Sequence, residues 1–283
     1  MKPLSASPST PVEGRLEGWS AAHAGGPEAA AFLQSQLSSD VQSLQVGQSQ
    51  WSAWLNPKGR VIALILLLRS EEQSFELLLP DHPADSLVPQ LSRFILRSKA
   101  RLAASAPTRF EAGIGTPPPA GALRLGGEVE RWLRWQSLTA PAPEERVIDA
   151  EWRLQDILCG LPRLGPEGGT HTAHMLGLDR LGAISLSKGC YPGQEIVART
   201  HYLGQSKRGL VCLRLEAGEP PQPGVGVYTA GAAAGEVLGS AVDSTGHHYV
   251  QAVASGLQAG SHCECAGRGA EVLELSPAPL PLS

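Results

Sequence analysis

Long apolar runs are missing from this chain. The longest runs only from Val61 to Leu68, between Arg60 and Arg69, far short of the roughly 20 residues a membrane helix needs. Met1-Lys2-Pro3-Leu4-Ser5 contains no apolar core, so no secretory signal is expected. A basic block is missing as well. Lys+Arg 23 against Asp+Glu 27 gives a net charge of −4, which argues against sequence-independent nucleic-acid binding. Cysteine is sparse: Cys159, Cys190, Cys212, Cys263 and Cys265 are an odd set with no disulfide-type spacing, as expected of reduced thiols in the cytoplasm. The expectation is a soluble cytoplasmic protein with neither a membrane nor a nucleic acid as direct partner.

Small residues are abundant, with Gly 32 and Pro 23 among 283, yet 42% of the chain is hydrophobic, enough for a packed core without metal or disulfides. Length suggests about two domains. Residues 1–14 read as a frayed Ser/Pro-rich tail and 277–283 as a second flexible tail. Pro27 opens a helical pattern through Ala29, Phe32, Leu33 and Leu37. Trp51–Leu55 and Val61–Leu68 read as strands joined by the turn Asn56-Pro57-Lys58-Gly59, and Phe75–Leu79 as a third. A helix around Leu87, Leu91 and Phe94 must kink at Pro89 or start there. Leu123–Leu138 predicts one or two short strands. Asp149 is the expected N-cap of a helix through Trp152 and Leu158, with Gly160 ending it. From Leu210 the pattern is short strands and Gly/Pro turns, including a hairpin of Glu236–Val242 with His248–Ser255, so a small β-barrel or sandwich is expected.

The stretch with most chemical content is Lys188-Gly189-Cys190-Tyr191-Pro192-Gly193-Gln194-Glu195. Pro192 and Gly193 suit the central positions of a type II turn, and a short helix can start at Gln194. If Ile184–Cys190 is extended, Lys188 and Cys190 share a face. An ammonium and a helix N-terminus both favour thiolate, which makes Cys190 a candidate reactive cysteine.

The string Leu186–Thr200, with Gly204 and Lys207-Arg208, resembles the signature of the YgfZ-type folate-binding proteins, relatives of the glycine-cleavage T-protein. The resemblance extends to Phe32-Leu33-Gln34, Asp40-Val41, Lys58-Gly59-Arg60 and Ser98-Lys99. It implies an α+β fold, a T-protein-like three-domain ring. Residues 15–205 would form two interleaved folate-binding domains and 206–276 the β-barrel-like C-terminal domain. It implies binding of tetrahydrofolate or a one-carbon derivative, with Trp19 and Trp152 matching two tryptophans of the family's folate site. The partners implied are iron–sulfur enzymes such as tRNA-modifying radical enzymes. Arg199 and Arg208 are candidates for the folate glutamate carboxylate, since a guanidinium matches a carboxylate with two parallel bonds.

One departure matters. Aminomethyltransferases of this kind carry an acidic residue on the strand after the Asn-x-x-Gly turn, and Val61–Leu68 has none, leaving positive charge on a transferred nitrogen unstabilised. The expectation is therefore a folate-binding accessory protein for assembly or repair of iron–sulfur enzymes, supporting tRNA modification. Cys190 is its functional thiol, holding iron or sulfur or forming a mixed disulfide, and Lys188 assists it. The alternative is a folate-dependent aminomethyl transferase. His262-Cys263-Glu264-Cys265 contains three potential ligands but reads as a strand, and no metal site is expected. Cys159 and Cys212 read as packing. His171 and His174 read as a solvated loop, and His247-His248 as surface.

Overall fold

The structure is a computed structural model describing residues 11–138, 145–165, 168–204 and 206–282. The chain opens with β1 (Val12–Leu16), β2 (Ser20–Gly25) and α1 (Ala29–Gln36). Then come β3 (Ser49–Leu55), β4 (Val61–Glu71), β5 (Ser74–Leu79), α2 (Ala84–Ser92) and β6 (Arg101–Ala104). Strands β7 (Thr108–Ile114), β8 (Leu123–Leu125) and β9 (Arg131–Ser137) precede α3 (Asp149–Cys159) and α4 (Gln194–Leu203). The C-terminal part is β10 (Gly209–Leu215), β11 (Gly226–Thr229), β12 (Ala232–Val242) and β13 (His248–Ala254). It ends with β14 (His262–Cys265), β15 (Arg268–Leu273) and β16 (Pro281–Leu282).

These strands make three antiparallel systems. One sheet has the order β3-β4-β5-β2-β6, a second the order β1-β7-β9-β8-β16, and β10-β13-β12-β11-β14-β15 close into a barrel. The run Val61–Leu68 is apolar on both sides because β4 is central and covered twice. Ala63, Ile65 and Leu67 meet Phe32 and Leu33 of α1 and Leu87 and Leu91 of α2. Leu64 and Leu66 face the central core, which also takes Phe110 and Leu133 from the second sheet. A fully buried leucine contributes roughly 1.5–3 kcal/mol, so this double coverage makes β4 a principal anchor of the fold. In β13 every residue is buried for a related reason. Val250 and Ala252 fill the barrel interior, and Tyr249 packs outward against Ile157 and Leu158 of α3. Helix α3 thus lies between the barrel and the central core.

Several local expectations are corrected. Helix α1 begins at Ala29 rather than Pro27. Helix α2 runs through Pro89, losing only the one backbone bond that a proline cannot donate. Asp149 is the first helical residue and caps nothing; both its carboxylate oxygens accept the Glu17 N–H at 3.1 Å, holding β1's end to α3. The segments expected to be flexible tails each contribute a strand. Val12 pairs with Ile114, and Pro281–Leu282 pairs with β8 while the Trp51 indole donates to the Pro279 carbonyl at 2.8 Å. Residues 1–10 and 283 of those tails lie outside the described residues. Leu123–Leu138 forms two strands, Gly160 ends α3 in the left-handed region, and the β12–β13 hairpin turns through Asp243–Gly246 as the sequence indicates.

Candidate functional site

The loop before α4 is fixed from beneath. Tyr191-Pro192-Gly193-Gln194 is a turn closed by the Gln194 N–H to the Tyr191 carbonyl at 3.2 Å, with Gly193 at φ 78°, ψ 1°, the type II geometry its sequence calls for. A side chain at Gly193 would run into the Asn56 carbonyl and Gly59, so the β3–β4 turn and the start of α4 meet backbone to backbone. The stretch from Ile184 to Cys190 is bent, not extended. Lys188 turns inward, donating to the Leu37 carbonyl at 2.6 Å and the Ser39 carbonyl at 2.8 Å, with its ammonium 5.1 Å from the Tyr191 ring centroid. Cys190 is exposed. The expected shared face of Lys188 and Cys190 is therefore corrected: two buried carbonyls capture the ammonium, and the chain turns between the residues. Burial pushes the Lys188 pKa down to about 8, with the Asp40 charge acting in the opposite direction. Lys188 clamps the loop from which Cys190 projects.

The other thiols are of a different kind. Burial pushes Cys159 up to about 11 and Cys212 up to about 12, and Cys263 up to about 11. Cys263 and Cys265 point into the barrel from β14, as the strand reading requires. Among the described residues no group of three or more His, Cys, Asp or Glu is arranged to hold a metal.

Trp19 and Trp152, distant in sequence, are neighbours in the central core, with ring centroids 6.3 Å apart and planes at 85°. Trp19 also meets Phe110 at 5.9 Å. Trp152 is fully buried and Trp19 is 7% exposed. The guanidinium of Arg131 lies 4.6 Å from the Trp152 ring and that of Arg163 lies 5.6 Å from Trp19. One carboxylate holds both cations: Asp156 Oδ1 accepts from Arg131 at 2.7 Å and Oδ2 from Arg163 at 3.0 Å. Burial alone would lower the Arg131 pKa, but Asp156 and Cys159 beside it raise it. Among the described residues, both indole N–H groups and the Tyr191 hydroxyl are buried without a partner. Unpaired buried donors of this kind each forfeit about 1–3 kcal/mol. A flat heteroaromatic ligand with acceptors would match these donors, in a site whose ring faces are at present covered by Arg131 and Arg163.

Arg199 and Arg208 lie exposed, on α4 and just after it; the arginines over the tryptophans are Arg131 and Arg163. Neither of these was singled out by sequence, nor was Asp156. The available signal was Asp156 itself, a carboxylate four residues after Trp152 and three before Cys159, within a helix face that is otherwise buried. His171 is not a solvated residue, because its Nε2 meets Glu236 Oε1 at 2.9 Å and ties the loop before the motif to β12. His174 lies beside His201, ring centroids 6.3 Å apart, and burial lowers its pKa. His248 is buried rather than at the surface.

Comparison with known proteins agrees with this architecture. No family model matches the chain. The tRNA-modifying protein YgfZ of Edwardsiella ictaluri is 28% identical over 94% of this chain and 91% of its own length. That of Colwellia psychrerythraea is 28% identical over 70% of this chain and 69% of its own. Among solved structures, the glycine cleavage system aminomethyltransferase T of Bartonella henselae superposes with a TM-score of 0.62 at 16% identity, covering 95% of this chain and 86% of that one. The fold is thus the α+β fold of a T-protein with a closed C-terminal barrel, and the chain resembles the YgfZ-type proteins over most of its length.

Proposed function

We propose that this chain is a folate-binding accessory protein of the cytoplasm that supports iron–sulfur enzymes, including those that modify tRNA, and that presents Cys190 as its working thiol. The observation that supports the reading best is the edge-to-face pair of Trp19 and Trp152, 6.3 Å apart in the central core, whose indole N–H groups are both unpaired among the described residues. Tetrahydrofolate, when bound, supplies a carrier for one-carbon units. Trp19 and Trp152 would hold it, their rings excluding water and their two N–H groups available to donate, with the Asp156-held arginines Arg131 and Arg163 setting the positive side of the site. Cys190 offers one soft ligand, and an all-protein cluster usually takes four, so iron or sulfur held there is shared with the client enzyme or an external thiol. Among the described residues, nothing on Val61–Leu68 supplies the carboxylate that an aminomethyl transfer needs.

Calorimetric titration of the full chain with 5-formyltetrahydrofolate tests the reading. Trp19→Phe and Trp152→Phe keep an aromatic core but lose the indole donor, and each is expected to weaken binding about tenfold, or 1.4 kcal/mol. Unchanged affinity in both variants removes the tryptophans from the site; no binding by the wild type removes the folate reading.

A further inference from the structure

Positive charge in this acidic chain is concentrated in two stretches that meet at one end of β3. No Asp or Glu occurs in residues 41–70 or 86–110, although the chain as a whole carries −4. Within them Lys58, Arg60, Arg93 and Arg97 are exposed. Unlike Arg69 and Arg109, which pair with Glu72 and Glu145, these four make no ion pair among the described residues. Two large apolar side chains stand beside them, Leu96 at 87% exposed and Phe94 at 50%. The Phe94 ring meets the Trp54 ring at 6.3 Å and 75°. Trp54 lies near the end of β3, just before the turn that carries Lys58, and pairs with Leu37, whose carbonyl holds the Lys188 ammonium. The 93–97 ridge, the 56–59 turn and the Cys190 loop therefore rest on the same end of β3, and Gly59 and Gly193 bring the turn against α4. Few carboxylates offset this charge. Asp40, which acts on Lys188, is engaged by Gln34 Nε2 at 3.0 Å, and Glu195 is the sole acid on α4.

We propose that this end of β3 is the docking face for a client protein, and that the client brings to it an acidic surface around an apolar pocket. The proposal rests on the reading of Cys190 as the thiol that meets a client. Leu96 fills the pocket, Phe94 backs it against Trp54, and the four cations pair with carboxylates at the rim, the division between apolar centre and charged edge that protein interfaces use. Leu96 favours a protein over RNA. Phosphates would suit the cations, but a base stacks on an aromatic face, and the most protruding side chain here is aliphatic, so only a partner with apolar surface gains from covering it.

Fluorescence anisotropy of the full chain with three labelled probes of equal negative charge tests the face: a peptide of alternating Glu-Glu and Leu-Leu pairs, polyglutamate, and single-stranded RNA. The wild type is expected to bind the Glu/Leu peptide about tenfold more tightly than polyglutamate, and both more weakly as salt rises. Leu96→Ser removes the difference between the two peptides, and Arg93→Glu with Arg97→Glu removes binding of both. Alkylation reads the nearness of the cations to Cys190. The rate with anionic iodoacetate relative to neutral iodoacetamide should fall when Lys58→Glu and Arg97→Glu are combined; an unchanged ratio overturns the shared face. In cells lacking their own YgfZ-type protein, Leu96→Ser and Arg97→Glu together are expected not to restore tRNA thiomethylation. All four positions are exposed, and thermal unfolding checks that the variants fold. Equal binding of the two peptides overturns the proposal, as does tightest binding of RNA unmoved by Leu96→Ser, or full restoration of thiomethylation by the paired variant. Peptide binding involves neither folate nor the thiol. If Cys190→Ser restores thiomethylation while the paired variant does not, the thiol reading falls and the docking face stands.

Discussion

Around Cys190 the backbone is clamped and the side chain is free, whereas around Trp152 the side chains hold one another and almost no surface is offered. The first region gets its rigidity from main-chain contacts: the Lys188 ammonium on two carbonyls, and the Gly193–Gly59 approach. The second gets it from an interior carboxylate shared by two guanidinium groups, each over an indole. The contrast separates presentation from enclosure. A thiol that meets a partner protein must project from a loop that does not move, while a ring that must exclude water needs side chains that can part and close. On this account the two regions are chemically independent, and each can be damaged without the other.

The largest expected effect lies in the enclosed region. Asp156→Asn leaves the buried Arg131 guanidinium without its carboxylate counter-charge, and breaking a buried pair in this way costs about 3–5 kcal/mol. Urea unfolding is expected to show a lower midpoint with unchanged slope; a midpoint within error of the wild type would dissolve the central ionic cluster as a structural element. Next is thiol reactivity. With Cys159 and Cys212 pushed up to about 11 and 12, iodoacetamide near neutral pH should label Cys190 at least about a hundredfold faster. Mass spectrometry of the labelled peptides reads this directly, and early labelling of Cys159 or Cys212 would break the contrast.

Lys188→Met tests the clamp. Losing a charged donor to two buried carbonyls is expected to cost about 2 kcal/mol. The native Lys188 pKa, at about 8, is below its ordinary value of 10.5. Between these values the unfolded chain binds the proton and the native chain has released it, so stability rises with pH across that window. The wild type should therefore gain on Lys188→Met from pH 8 to 10.5 and show no such trend below 8. A flat difference would mean the ammonium is not buried as described. The smallest effect is on the other side of the comparison: Cys190→Ser, at an exposed position, should change unfolding free energy by no more than about 0.5 kcal/mol.

What could be read from the sequence follows from range. Pro192-Gly193 specifies its turn locally, Val61–Leu68 reads as a strand, and the Asp243–Gly246 turn fixes the β12–β13 hairpin; all three are found. The inward turn of Lys188 was not legible, because its partners Leu37 and Ser39 lie far away in the chain and offer only carbonyls, which carry no residue-type signal. Asp149 looked like a cap because the competing N–H of Glu17 comes from another part of the chain. The C-terminal strand was hidden in a proline-rich tail since its order depends on β8 and Trp51. The tryptophans entered through resemblance to a family, and spacing alone does not pair them. Arg131, Arg163 and Asp156 form a cluster only after α3 is placed between barrel and core.

The most direct test of the account asks whether the exposed thiol does the work while the enclosed site does the binding. In cells lacking their own YgfZ-type protein, iron–sulfur-dependent thiomethylation of tRNA is measured with the wild-type chain or with Cys190→Ser, and the folate affinity of both purified chains is measured by calorimetry. The account predicts that Cys190→Ser binds 5-formyltetrahydrofolate as the wild type does and fails to restore thiomethylation. Full restoration by Cys190→Ser would contradict it and return the cysteine to the status of an exposed surface residue.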